Sequence, residues 1–226
     1  MSDEKDRPEL YYFGDPMCSW CWGFSPVLEK LEGAFDVPLH VVAGGLAPGA
    51  AARPMGDKMA EVIAHHWHSV EEMTGQPFNH KVLERRGWSY DTEPACIAVV
   101  TMRDQAPGSV LPFFSRLHRA FYVEGIDITD PTVYGPLVAP FVEDVPAFLE
   151  RMASDEMKAM AWQDFSMARS LGVSSFPTLL VRTGDQWAQV CRGWASFESI
   201  EPGLRAFLDE RLATVTEGEA CDIDGC

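Results

Sequence analysis

The sequence predicts an α/β protein: a central mixed sheet flanked by helices, with a helical domain inserted after its first strand–helix–strand unit. Three observations predict it. The apolar run Leu10–Phe13 feeds a Cys-x-x-Cys at the mouth of a helix-like pattern, and Pro38–Gly45 supplies a second strand. From Leu46 to Ala153 helical periodicity takes over. Near the C-terminus a helix leads into Thr178–Val181, a turn, a partner strand and a last helix. The chain therefore divides into 1–45 and 154–213 as the two halves of one domain, 46–153 as the insertion, and 214–226 as a flexible acidic tail.

Taken in order, residues 1–9 read as frayed and Leu10–Asp15 as a strand. The first helix carries Val27, Leu28, Leu31 and Phe35 on one side, with Pro26 inside it to remove a backbone donor and kink it. Breaks at Gly75-Gln76-Pro77, Ala106-Pro107-Gly108 and Asp130-Pro131 divide the insertion. Its candidate helices are Asp57–Thr74, Lys81–Gly87, Pro94–Gln105, Val110–Val123, Pro131–Phe141 and Val145–Ala153. Thr92 is placed to cap the helix that starts at Pro94. Ser154 caps an amphipathic helix to Leu171, with Asp155 and Glu156 in its first turn and Gly172 as its stop. Gly184-Asp185 turns the chain into Gln186–Gly193, and Ser196–Leu212 closes the fold.

A net charge of −16 argues against nucleic acid or an anionic membrane as partner, because both require a basic face. No run of about 18 apolar residues is present to span a bilayer. The charged start Met1–Pro8 lacks the apolar centre of a secretory signal, so a cytoplasmic protein is expected. In a reducing compartment paired cysteines are working ones rather than structural bridges.

Gly14-Asp15-Pro16-Met17-Cys18-Ser19-Trp20-Cys21-Trp22-Gly23 is the stretch with chemistry in it. Free N–H groups and the positive end of the dipole at a helix start favour a thiolate over a thiol. The thiolate is the form that attacks disulfides, and a second cysteine one turn on is placed to displace whatever the first has captured. The same spacing is also half of a zinc site, which would need a second pair of ligands.

Cys18-Ser19-Trp20-Cys21-Trp22 followed far downstream by Phe176-Pro177-Thr178 resembles the DsbA family of thiol–disulfide oxidoreductases, with a thioredoxin-like fold, and within it the FrnE-type, disulfide-isomerase branch. Gly44-Gly45-Leu46, the run from His65-His66-Trp67 to Thr74–Phe78, and Ala120–Gly125 carry the closer likeness, which spans about Tyr11 to Leu212. The resemblance implies that Cys18 is the nucleophile and Cys21 the resolving thiol, tuned by Ser19 and Trp20. It also implies that Pro177 is cis and faces them, presenting the Phe176 backbone to a bound peptide. From the residues alone, a trans proline at a strand start fits equally. Trp22 reads as core and Trp20 as a rim residue.

Cys221 and Cys226 form a second pair on the acidic tail. An internal disulfide relay, a zinc site shared with Cys18 and Cys21, and an unused tail all fit them. Cys96 and Cys191 read as small buried hydrophobes, and His65, His66 and His68 as a polar helix face, so no metal is assigned. Asp15 is close enough in sequence to perturb the thiols. The function expected is disulfide reduction or isomerisation on disulfide-containing or unfolded protein substrates, through a mixed disulfide. No organic cofactor is called for; a cellular thiol, glutathione or a thioredoxin-like donor supplies electrons. Glutathione-dependent isomerisation or transfer, and a non-catalytic chaperone or metal-binding role, are the rivals. The sequence is silent on oligomeric state.

Overall fold

The computed structural model describes residues 7–221, with side chains through residue 211. Strands β1 (Glu9–Gly14), β2 (Leu39–Ala43), β5 (Thr178–Thr183) and β6 (Gln186–Arg192) form one sheet in the order β2-β1-β5-β6. β1 runs parallel to β2 and antiparallel to β5, and β6 pairs antiparallel with β5 with an irregularity between Leu179 and Leu180. A separate two-residue ribbon pairs β3 (Arg53–Pro54) with β4 (Ser89–Tyr90).

Among the described residues eight α-helices surround the strands: α1 (Ser19–Ala34), α2 (Asp57–Thr74), α3 (Glu93–Gln105), α4 (Val110–Arg119), α5 (Tyr134–Val138), α6 (Val145–Met152), α7 (Asp155–Ser170) and α8 (Phe197–Cys221). Alternation along β1 divides the interior. Leu10 and Tyr12 pack with Leu28, Leu31 and Leu204 on one side, and Phe13 joins Val42, Ala168 and Leu180 on the other. The first cluster continues without a break into the helical segment, through Trp67, Phe114, Phe121, Tyr134 and Phe148.

Local chemistry accounts for the element ends. Ser154 caps α7 by accepting from the Met157 N–H at 3.3 Å, and Gly172 turns the chain away at φ 72°. Thr92 does not cap α3. Its hydroxyl accepts instead from the Ala47 N–H at 3.2 Å, and Asp91 takes the Glu93 N–H at 2.9 Å.

Four expected helices differ. Residues 81–87 give only a 3-10 turn, His80–Glu84, anchored by Asn79. Pro131–Phe141 splits into a 3-10 turn and the five-residue α5, because Pro136 and Pro140 have no N–H to continue the helical bonding. Past Arg119, the segment Ala120–Glu124 widens into a π-helical turn. At the other end, α8 runs to Cys221, beyond the expected stop at Leu212. Leu212–Glu217 holds no breaker and several good helix formers, so the acidic tail expected from 214 starts as helix. Cys226 and the side chain of Cys221 lie outside the described residues, and with them the geometry of the second cysteine pair.

A polar clamp fixes the free edge of β2 to α3 and α7. Arg103 of α3 meets Asp164 of α7 in two bonds of 2.8 and 2.9 Å. The same guanidinium donates to the Val41 carbonyl at 2.9 Å, and Asp164 accepts the Ala43 N–H at 2.8 Å. Three elements thus share one desolvated ion pair.

Candidate active site

Cys18 stands at the N-cap of α1 and its side chain caps nothing, which leaves the sulfur directed out of the helix. It is 6% exposed, whereas Cys21, in the first turn, has no exposure at all. Both are free thiols. The Cys18 thiol donates to the Phe176 carbonyl at 3.5 Å, across 158 residues of sequence. The Phe176–Pro177 peptide bond is cis, Pro177 is buried, and its carbonyl accepts from the Gly193 N–H at 2.7 Å. Gly44 makes this approach feasible, since a Cβ there would lie 2.6 Å from the Phe176 ring.

Cys18 lies on the floor of a groove of about 560 Å³. Met17, Ser19 and Trp20 line it together with Ser174, Ser175 and Phe176, and the helical segment supplies Leu46, Met59, Val62, Ile63, Trp67 and Tyr90. The walls are chiefly apolar, with Arg53 and His66 as the basic side chains among them. Leu46 and Val62 are large apolar side chains 47% and 54% exposed. Trp20 is half-buried at the rim, and Trp22, 7% exposed, belongs to the core.

The freed carbonyl that Pro26 creates in α1 is used. Pro26 has no N–H for the Trp22 carbonyl, and the Gln76 side-chain amide donates to that oxygen at 3.0 Å. The Trp22 indole N–H donates in return to the Pro77 carbonyl at 3.1 Å. One residue of the thiol helix is therefore held from both ends by the Gly75–Pro77 turn.

Behind the thiols lies a buried polar layer. Asp15 is fully buried and accepts from the Met17 N–H at 2.9 Å and the Leu46 N–H at 2.7 Å; burial still pushes its carboxyl above the usual range. The Cys96 thiol donates to the same carboxyl at 3.5 Å, and its burial is complete. His118 of α4, also fully buried, lies 3.3 Å from the Asp15 carbonyl through Nε2 and 3.0 Å from Ser25 Oγ through Nδ1. A carbonyl only accepts, so Nε2 carries the hydrogen; in the neutral ring Nδ1 is then an acceptor, and it shares the single Ser25 hydroxyl hydrogen with the Cys21 carbonyl, 3.2 Å from Oγ. Desolvation brings this imidazole down to about 3, against a smaller opposing pull from the Asp15 carbonyl, and it is neutral. Burial raises the Cys21 thiol well above its ordinary value, and the adjacent Cys18 sulfur raises it further. Cys191, on β6, is also raised, to about 11, by desolvation.

The remaining candidates lie apart from this layer. His65, His66 and His68 are exposed on α2, with His68 3.3 Å from Glu72. Among the described residues no group of three or more histidine, cysteine or acidic side chains is disposed to hold a metal. Sequence reasoning passed over Tyr12, Tyr90 and His118, all buried around the thiols. The only signal for Tyr12 was its place on the same strand face as Leu10.

A family profile described as the DSBA-like thioredoxin domain matches residues 9–201. The chain belongs to that family. Among solved DSBA-like structures, a candidate protein disulfide isomerase from Nitrosomonas europaea is 35% identical, with a TM-score of 0.82 over 90% of this chain and 98% of the other. The cytosolic disulfide reductase DsbM from Pseudomonas aeruginosa superposes with a TM-score of 0.74 at 23% identity, over 91% and 99% of the two chains, and shares the fold. A curated relative, the ClpXP adapter protein SpxH of Halalkalibacterium halodurans, is 25% identical over 78% of this chain and 60% of its own length. The chain spans between 56% and 60% of the curated relatives it matches. No helix among the described residues is long and apolar enough to cross a membrane.

Proposed function

We propose that this chain reduces or isomerises protein disulfides through Cys18, by way of a mixed disulfide that Cys21 resolves. The observation that carries the reading is the asymmetry of the two thiols. Cys18 reaches a groove beside the Phe176 carbonyl, and Cys21 is sealed beneath it. The Cys18 thiolate attacks one sulfur of the substrate disulfide, the S–S bond breaks, and the other sulfur leaves with the electron pair. Cys21 then attacks Cys18, releasing the second substrate thiol and closing the Cys18–Cys21 bond. The order is built in: the Cys18 sulfur raises the Cys21 thiol while it is free, and its capture removes that charge.

An extended peptide fits the groove, with the Phe176 carbonyl offered for strand-like pairing and the apolar wall for side chains. The thiols carry both electrons, so the reading calls for no organic cofactor. A cellular thiol, glutathione or a thioredoxin-like donor returns the pair to the dithiol, in keeping with a cytosolic place of work. Cys221 and Cys226 join this scheme as an auxiliary relay, tested by removing the last six residues.

Dithiol-driven insulin reduction, read as turbidity, tests the reading. Cys18→Ser abolishes it, and Cys21→Ser accumulates client adducts on non-reducing gels. Activity in Cys18→Ser, or no adducts in Cys21→Ser, overturns it. The exposed Leu46 and Val62 at the groove mouth support a second reading, a protein-binding adapter without chemistry. In that case clients are retained equally by a chain lacking both thiols.

A further inference from the structure

Tyr12 sits in the middle of β1 with no exposure, its ring stacked on Phe24 at 5.9 Å and edge-on to Phe114 at 5.8 Å. The ring tip lies over Gly14, where an added Cβ would come within 2.5 Å of the ring and 2.7 Å of the hydroxyl. Among the described residues no group bonds that hydroxyl with good geometry. An unpaired buried hydroxyl costs about 1–3 kcal/mol, which phenylalanine at this position would avoid. Tyr12 shares its core cluster with both thiols, and Cys21 is the side chain that interacts most strongly with the phenol, ahead of Cys18 and Cys191.

We propose that Tyr12 is a positioning residue for the resolving sulfur: its phenol hydrogen turns onto Cys21 as that sulfur ionises to attack the mixed disulfide. This rests on the oxidoreductase reading above. A neutral thiol is a weak acceptor, so the contact stays poorly aligned in the resting dithiol; a thiolate is a strong one, and the bond forms with the charge. In the step itself Cys21 loses its proton and attacks Cys18. The Cys18–substrate bond breaks as the Cys18–Cys21 bond forms, and the departing substrate sulfur takes the electron pair and the proton. Tyr12 lends a hydrogen bond and ends unchanged. Burial raises the phenol well above its ordinary value, which keeps it a donor throughout.

The full chain with Tyr12→Phe tests this. Resolution of a preformed mixed disulfide between Cys18 and a cysteine peptide slows about tenfold, the lower end expected for a hydrogen bond to a charged group. Its pH–rate profile moves up by about one unit. Alkylation of Cys18 by iodoacetamide keeps its rate, and the urea midpoint is unchanged or higher. Ultraviolet thiolate titrations of Cys18→Ser and of a Cys18→Ser, Cys21→Ser chain give Cys21 by difference, and Tyr12→Phe moves it upward. Unchanged resolution, pH profile and titration overturn the inference while leaving the oxidoreductase reading standing. A wild-type chain that resolves no mixed disulfide overturns that reading instead, and the Cys21 titration then decides the role of Tyr12 by itself.

Discussion

Replacing His118 with glutamine turns the buried imidazole into a measurable acid sensitivity. In the fold this ring titrates at about 3, and in the unfolded chain near its ordinary 6.5. Its folded value is depressed, so between those values the unfolded state binds more protons than the folded one, and stability rises with pH across that window. The contribution is at its full value above pH 6.5 and is lost progressively below it. At pH 5 the unfolded ring is largely protonated and the folded ring is not, a difference of about 2 kcal/mol against pH 8. Glutamine preserves the local bonding, with an amide hydrogen for the Asp15 carbonyl and an oxygen for Ser25, and carries no titratable group. Urea unfolding at pH 8 and pH 5 provides four free energies. The loss between the two pH values should be about 2 kcal/mol larger in the wild type than in His118→Gln, since Asp15 and the surface histidines contribute equally to both proteins. Parallel losses in the two chains would refute a neutral, proton-excluding His118.

Asp164→Ala strips the Ala43 N–H and the Arg103 guanidinium of their shared partner, and should cost about 3 kcal/mol in urea unfolding, as expected when one partner of a mostly buried pair is removed. Gln76→Ala leaves the Trp22 carbonyl that Pro26 has freed without its donor, costing about 1 kcal/mol and weakening the anchor of the thiol helix. A matched Pro26→Ala, Gln76→Ala double variant should recover most of that loss, because the helix then supplies its own donor.

Much of this architecture was legible because short-range chemistry writes it. The run Leu10–Phe13, the Cys-x-x-Cys behind it and the Ser154 cap are local signals, and each element starts within a residue or two of its expected place. The pairing of Cys18 with Phe176 came from the family likeness, since no periodicity links positions 158 residues apart. The floor of the site stayed hidden for a related reason. Tyr12 and His118 look like ordinary core residues on an apolar strand and an amphipathic helix. Only the packing of α4 against α1 brings Nε2 to the Asp15 carbonyl, and only the bare Gly14 lets the phenol reach over. His80–Glu84 misled through its brevity: one turn of favourable residues, with only the neighbours Val82 and Leu83 to bury, settles into the tighter coil that Asn79 nucleates.

The helical segment and the sheet share one apolar interior, and both sulfurs are members of it. The two thiols are therefore seated at a seam where two parts of the polypeptide solidify together, and any loosening of one part disturbs the seat. Precision at the sulfur atoms is in that sense a property of the whole molecule's cohesion, reaching as far as Phe148, more than a hundred residues down the chain.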